Sequence, residues 1–175
     1  MTCIAALKHK GKVYMAADSA GVAGYNLTVL RSPKIYRVGD FLFGFTSSFR
    51  MGQLLGHKLK VPKQTGGDVE QFMCTVFVDA IRECFRTGGF MTKSSEAEAG
   101  GEFLVGYRGR IFKVCSDFLV AEARLPFDAC GCGQDVALGS LFSSEGDPKE
   151  RLRLALKAAE RFSGGVRGPF LVKDI

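Results

Sequence analysis

Residues 2–18 read TCIAALKHKGKVYMAAD, and how this stretch is read decides the fold. Two apolar runs, 2–7 and 12–17, flank the basic turn KHKG (8–11), the pattern of a β-hairpin. The first run reads as a buried strand, and a hydroxyl residue, Thr2, stands at its head directly behind Met1. A β-branched residue has good strand propensity, which is one explanation of Thr2. The other is that Thr2 becomes an N-terminus.

Working outward, KIYRV (34–38) and FLFGFT (41–46) form a second pair turning at Gly39-Asp40. From about Phe49 the pattern becomes helical, with MGQLLGHKLK (51–60) halted at Pro62 and the Gly66-Gly67 loop. Asp68 caps a second helix, DVEQFMCTVFVDAIRECFR (68–86), pairing with Gln71 as in a capping box. Its apolar residues Val69, Phe72, Met73, Val76, Ala80 and Ile81 leave both faces apolar. That pattern suggests packing between sheet and helix, or against another subunit. TKSSEAEAGG (92–101) reads as a mobile loop. EFLVGY and RIFKV then flank Arg108-Gly109 as a further hairpin, and DFLVAEA (117–123) adds a strand.

GCGQDVALGSLF (131–142) is a Gly-rich start to a helix. The last helix, 147–162, has Asp147 at its N-cap, Pro148 at the first helical position and Glu150 three residues after the cap. The strand PFLV (169–172) closes the chain. The order is strands, two helices, strands, two helices, strand, without internal repeat or linker. This predicts a single domain over 1–175, an α+β four-layer αββα sandwich in which two antiparallel sheets carry helices outside.

Composition agrees. At 175 residues the chain can bury roughly 70% of its unfolded surface. Its hydrophobic fraction of 46% and charged fraction of 24% are those of a soluble globular protein. No run approaches the ~20 apolar residues of a membrane span, and no signal-peptide pattern opens the chain, so a cytoplasmic location without membrane partner is expected. Cys3, Cys74, Cys84, Cys115, Cys130 and Cys132 are scattered as reduced thiols would be. Cys130 and Cys132 lack a second pair, and His9 and His57 complete no ligand set, so neither a metal nor another cofactor is expected. The net charge is +6, but the basic residues, among them Lys8, Lys10, Lys12, Arg151, Arg153, Lys157 and Arg161, are distributed with acidic residues interleaved later and form no aromatic-basic motif, which argues against nucleic acid.

Six features in order carry a resemblance: the M-T start, A-A-D-S (16–19), S-P-K-I (32–35), the G-Y-x-G hairpin (106–109), G-C-G-x-x-x-A-L-G (131–139) and E-R-F-S-G-G (160–165). Together they resemble proteasome β-type, HslV-like subunits of the N-terminal nucleophile hydrolase superfamily, over almost the whole chain. The resemblance implies a threonine peptidase assembling into a homo-oligomeric ring or stacked rings and cutting polypeptides, with an unfolding ATPase as a further partner.

A threonine hydroxyl needs a neighbouring base, and a free α-amine with a pKa of about 7.7–8.0 can serve. Only residue one carries both groups, so loss of Met1 would create nucleophile and base together on Thr2. Asp18 and Lys34 lie sixteen and thirty-two positions after Thr2, where the family keeps its acidic residue and its lysine. Lys34 would favour the alkoxide and Asp18 would orient Lys34. Read alone, Asp18 ends a strand in a turn and Lys34 is a solvated cation after Pro33.

The resemblance also implies Cys132 where the family has serine, Glu160 where it has aspartate, and a matching Ser163. The turn FTSSF (45–49) puts Ser48 at the oxyanion position, and Gly21 and Val22 would face substrate. Two alternatives share this fold. One is a catalytically silent ring or scaffold subunit, which the departures at Cys132, Glu160 and Ser48 would suit. The other is a small-molecule amidase, which a chain without insertions to roof the cleft disfavours.

Overall fold

The computed structural model describes residues 1–94 and 97–175. The opening hairpin consists of β1 (Ile4–His9) and β2 (Lys12–Ala17), paired antiparallel from Ile4↔Ala17 to His9↔Lys12. Lys10 and Gly11 both take positive φ in the turn, at 49° and 75°, the sense that matches the twist of two strands joined by a two-residue loop. A short hairpin follows, β3 (Ala20–Ala23) and β4 (Asn26–Val29), then β5 (Ile35–Val38) and β6 (Phe41–Phe45).

Helix α1 (Phe49–Gln53) runs into a wider π-type turn at Leu54–Lys58. Helix α2 (Val69–Phe72) does the same at Met73–Phe77 before α3 (Val78–Thr87). The Asp68 carboxylate accepts from the Gln71 N–H at 2.9 Å, as an N-cap should. Strands β7 (Thr92–Ser94) and β8 (Ala97–Ala99) flank positions 95–96, which lie outside the described residues. The expected loop at 92–101 is therefore strand on both sides.

Strands β9 (Phe103–Tyr107), β10 (Arg110–Val114), β11 (Val120–Glu122) and β12 (Phe127–Cys130) precede α4 (Gln134–Ser143), α5 (Pro148–Phe162) and β13 (Leu171–Asp174). The Asp147 carboxylate caps α5, accepting from the Lys149 and Glu150 N–H groups at 3.0 Å each. The closing strand begins two residues later than PFLV implies, past Pro169, whose missing N–H suits a strand poorly.

Two main antiparallel sheets result, β12-β1-β2-β13 and β11-β10-β9-β6-β5, beside the two-stranded pairs β3-β4 and β7-β8. Side chains alternate along each strand, and this sorts the molecule into four layers. Ile4, Ala6, Val13, Met15, Leu42, Leu104 and Ile111 fill the space between the sheets. Cys3, Ala5, Leu7 and Ala16 face α4 and α5 through Ala137, Leu141, Leu152 and Leu156. Phe41, Phe43, Phe45 and Phe103 face the other helical layer through Met51, Leu54, Phe77, Ile81 and Phe85. Gly44 and Gly106 let the sheets approach: a Cβ on Gly44 would lie 2.4 Å from Met15 Sδ, and one on Gly106 2.8 Å from Val13 Cγ1.

The second helix is less apolar on its outer face than the sequence reading of two apolar faces implies. Phe72, Met73, Phe77, Ile81 and Phe85 are consumed by this chain's own core, while Asp79, Arg82, Glu83 and Arg86 point outward. Val76 is exposed. No helix among the described residues is long and apolar enough to cross a membrane.

Candidate active site

The hairpin register builds the site. Because Ile4 pairs with Ala17, the next pair outward is Cys3 and Asp18, and the Asp18 N–H reaches the Cys3 carbonyl at 3.3 Å. The Asp18 carboxylate accepts from the Cys3 N–H at 3.0 Å, the Ala20 N–H at 2.9 Å and the Arg167 N–H at 3.3 Å. Three backbone donors fix its orientation. Residue 34 extends β5 by one pairing step, since the Phe45 N–H donates to the Lys34 carbonyl at 3.1 Å. From there the Lys34 side chain runs inward and its Nζ donates to Thr2 Oγ1 and to Asp18 Oδ1, each at 2.9 Å.

Thr2, Asp18 and Lys34 thus stand together, 5%, 2% and 1% exposed. Lys34 is no solvated cation: burial lowers its pKa below the usual 10.5, while the Asp18 carboxylate acts in the opposite direction. The ring of Phe49 lies 5.7 Å from the ammonium. The Thr2 hydroxyl, accepting from Lys34, donates its own proton to the Met1 carbonyl at 2.5 Å.

The remaining expected residues fall into rings around this centre. Cys132 Sγ donates to the Thr2 carbonyl at 3.4 Å, where the Gly133 N–H also points at 3.4 Å, so its contact is with the backbone and not the hydroxyl. Gly131 makes that approach feasible, because a Cβ there would lie 2.3 Å from the Thr2 carbonyl oxygen. Ser163 Oγ donates to Cys132 Sγ at 3.3 Å. Glu160 is a step further out: its Oε1 accepts from the Gly168 N–H at 2.9 Å and lies 3.9 Å from the Arg167 guanidinium, steadying the loop whose Arg167 N–H holds Asp18.

Val22 and Ser48 line a cleft of about 80 Å³ with Thr2, Met1, Phe45, Thr46, Ser47 and Phe49. Gly21 is half-buried beside it, and its carbonyl accepts from Thr28 Oγ1 at 3.1 Å. The Ser48 N–H donates to the Thr46 carbonyl at 2.6 Å, closing a three-residue turn with Ser47 at φ 61°. A turn of this hand around a non-glycine residue is rare and strained. Ser47 is a site residue the sequence reading passed over; its only sequence signal was the want of glycine in T-S-S. The backbone N–H of Arg167 carried no signal at all.

Cys3 is next in the chain to Thr2 but is buried away from the cleft. Burial, with the negative charge of Asp18, pushes its thiol up to about 12, and its side chain faces the α4–α5 layer. Among the described residues no group of three or more His, Cys, Asp or Glu side chains gathers as a metal-ligand set.

The Thr2 hydroxyl, just ahead of β1 in one sheet, is bridged to a buried lysine that enters from the other, and the fold that holds them is the proteasome-like α+β fold of N-terminal nucleophile hydrolases. Among solved structures, Thiobacillus denitrificans BPH in complex with epoxomicin matches 99% of this chain and 98% of its own, with TM-score 0.80 and 22% identity. Eukaryotic HslV from Trypanosoma brucei matches over 99% and 98% with TM-score 0.69 and 15% identity. Anbu, an ancestral β-subunit from Yersinia bercovieri, matches over 99% and 81% with TM-score 0.68 and 16% identity. No family model and no curated protein matches the sequence.

Proposed function

We propose that the chain is a threonine peptidase subunit that hydrolyses polypeptides through Thr2 once Met1 is removed, as a cytoplasmic homo-oligomeric ring or stacked rings with an unfolding ATPase as a further partner. The observation that carries this reading is the buried bridge from Lys34 Nζ to Thr2 Oγ1 and Asp18 Oδ1. A packing role does not call for a lysine there, since burying an ammonium costs several kcal/mol before its partner compensates (order of magnitude).

With Met1 in place the Thr2 nitrogen is an amide and the hydroxyl proton is held by the Met1 carbonyl. Removal of Met1 frees an α-amine on the same residue and empties the space that the Met1 carbonyl fills. The Thr2 hydroxyl then gives its proton to that amine as Oγ1 attacks the substrate carbonyl carbon, while Lys34 stabilises the developing alkoxide. The carbonyl oxygen becomes the oxyanion, and the Ser48 N–H turns to it from the Thr46 carbonyl. The amine passes the proton to the departing nitrogen, leaving an ester on Thr2. Water, giving a proton to the same amine, attacks the ester carbon, and the C–Oγ1 bond breaks as the amine returns that proton to Oγ1, releasing the acid.

Thr2→Ala should lower hydrolysis of a fluorogenic peptide by roughly 10⁴-fold or more with the melting temperature retained. Turnover equal to the parent would assign the chemistry elsewhere. A processed chain inert to every peptide would favour the silent-subunit alternative, to which the Ser48 N–H, engaged within its own turn, is also suited.

A further inference from the structure

Beside the Thr2 cleft lies a larger one of about 490 Å³, lined by Ser32, Tyr36, Arg50, Gln53, His57 and Lys58 along with Pro33 and Leu54. Their walls adjoin. Phe45, which lines the Thr2 cleft, stacks on Tyr36 at 6.2 Å, and Tyr36 meets His57 edge-on at 5.1 Å. Phe49 of the Thr2 cleft is followed directly by Arg50, and Pro33 of the larger cleft is followed directly by Lys34, the partner of Thr2 Oγ1.

The larger cleft carries one sign of charge. Arg50 and Lys58 are cations, His57 adds an imidazole, and no acidic side chain lines it. Arg50 Nη2 donates to the Gly88 carbonyl at 3.3 Å and Lys58 Nζ to the Thr87 carbonyl at 2.7 Å, so the end of α3 anchors both head groups. Among the described residues neither cation pairs with a carboxylate. A guanidinium has five N–H donors in a fixed fork, and one carbonyl leaves most of them free for a planar anion. Gln53 and Ser32 add neutral polar groups at the same walls.

We propose that this cleft receives the side chain of the residue whose carbonyl Thr2 attacks and selects a carboxylate there, so that the enzyme cleaves after Glu and Asp. The proposal rests on the peptidase reading, and its test separates the two. In the parent protein, peptides differing only as Glu or Gln before a fluorogenic leaving group should differ in kcat/KM by roughly tenfold or more in favour of Glu, the scale of one charge-assisted hydrogen bond. Arg50 is exposed, so Arg50→Glu should keep the parent's melting temperature while inverting the order so that a Lys peptide overtakes the Glu peptide. Equal rates for Glu and Gln, or an unchanged ratio in Arg50→Glu, would overturn the proposal while leaving the peptidase reading intact. Should no peptide be hydrolysed, the peptidase reading fails. The cleft is then read by fluorescence anisotropy of labelled peptides carrying an internal Glu or Gln on the Thr2→Ala protein. Affinity roughly tenfold higher for Glu, lost on adding Arg50→Glu, supports the cleft; equal affinity, or binding of neither, overturns it.

Discussion

Burial lowers the pKa of Lys34 while Asp18, 2.9 Å away, raises it, and both effects bear on what pH should do. The mechanism proposed above needs a neutral Thr2 amine and a charged Lys34. The rate should therefore rise through about pH 7.7–8.0 as the amine deprotonates and fall again on the alkaline side, below the 10.5 of an ordinary lysine. Stability moves with the same group. Between the lowered native value and 10.5 the unfolded chain holds a proton that the native chain has released, so Lys34 makes the fold more stable as pH rises through that window. Lys34→Met, which keeps the stem and deletes the charge, should cut hydrolysis by roughly 10²-fold or more and remove that alkaline gain. Urea unfolding at a series of pH values alongside a pH–rate profile checks both; an unchanged profile would take Lys34 out of the mechanism. The triplet was legible only through the family resemblance, since read alone Asp18 ends a strand and Lys34 is a solvated cation. The burial of Lys34 was not, since a lysine after Pro33 looks the same whether its side chain runs outward or between two sheets. Nor was the role of Cys132: its place near Thr2 follows from the Gly131 turn, but the carbonyl it bonds is a matter of tertiary geometry.

At the level of elements, turn chemistry gave the hairpins and caps correctly: Gly11, Gly39 and Gly109 all take positive φ where glycine was read as a turn residue. The short pieces escaped. β3–β4 and β12 are four-residue strands, and what makes Phe127–Cys130 a strand is its pairing with β1, which no local pattern announces. The π-type turns at Leu54–Lys58 and Met73–Phe77 likewise leave no periodic mark over five residues. One glycine tests the layer packing. Gly44→Ala would drive a methyl group to 2.4 Å from Met15 Sδ and 2.6 Å from Ile4 Cγ2, prising β6 from β1 and β2. Overpacking of this kind costs about 1–3 kcal/mol, so the melting temperature should drop by roughly 3–10 °C. A thermal scan with no shift would mean the sheets are not held as closely as drawn.

At the scale of the whole molecule, the four layers were legible from element order, but the surface was not. The second helix, read as packing either between sheet and helix or against another subunit, serves the internal core, while the exposed Phe142, Leu154 and Phe162 of α4 and α5 sit on the outer helical layer. If the ring assembly proposed above buries such residues, light scattering should report a particle of many subunits; a stable monomer at micromolar concentration would remove the ring while leaving the fold. The central claim, that Thr2 freed of Met1 is nucleophile and base in one residue, is tested most directly by the intact mass of the protein after incubation with epoxomicin, an epoxyketone that needs both hydroxyl and free amine. The account predicts a chain lacking Met1 that gains one inhibitor mass, with no gain on the Met1-retaining chain or on Thr2→Ala. An adduct on either of those, or a processed chain that stays unmodified, would contradict it.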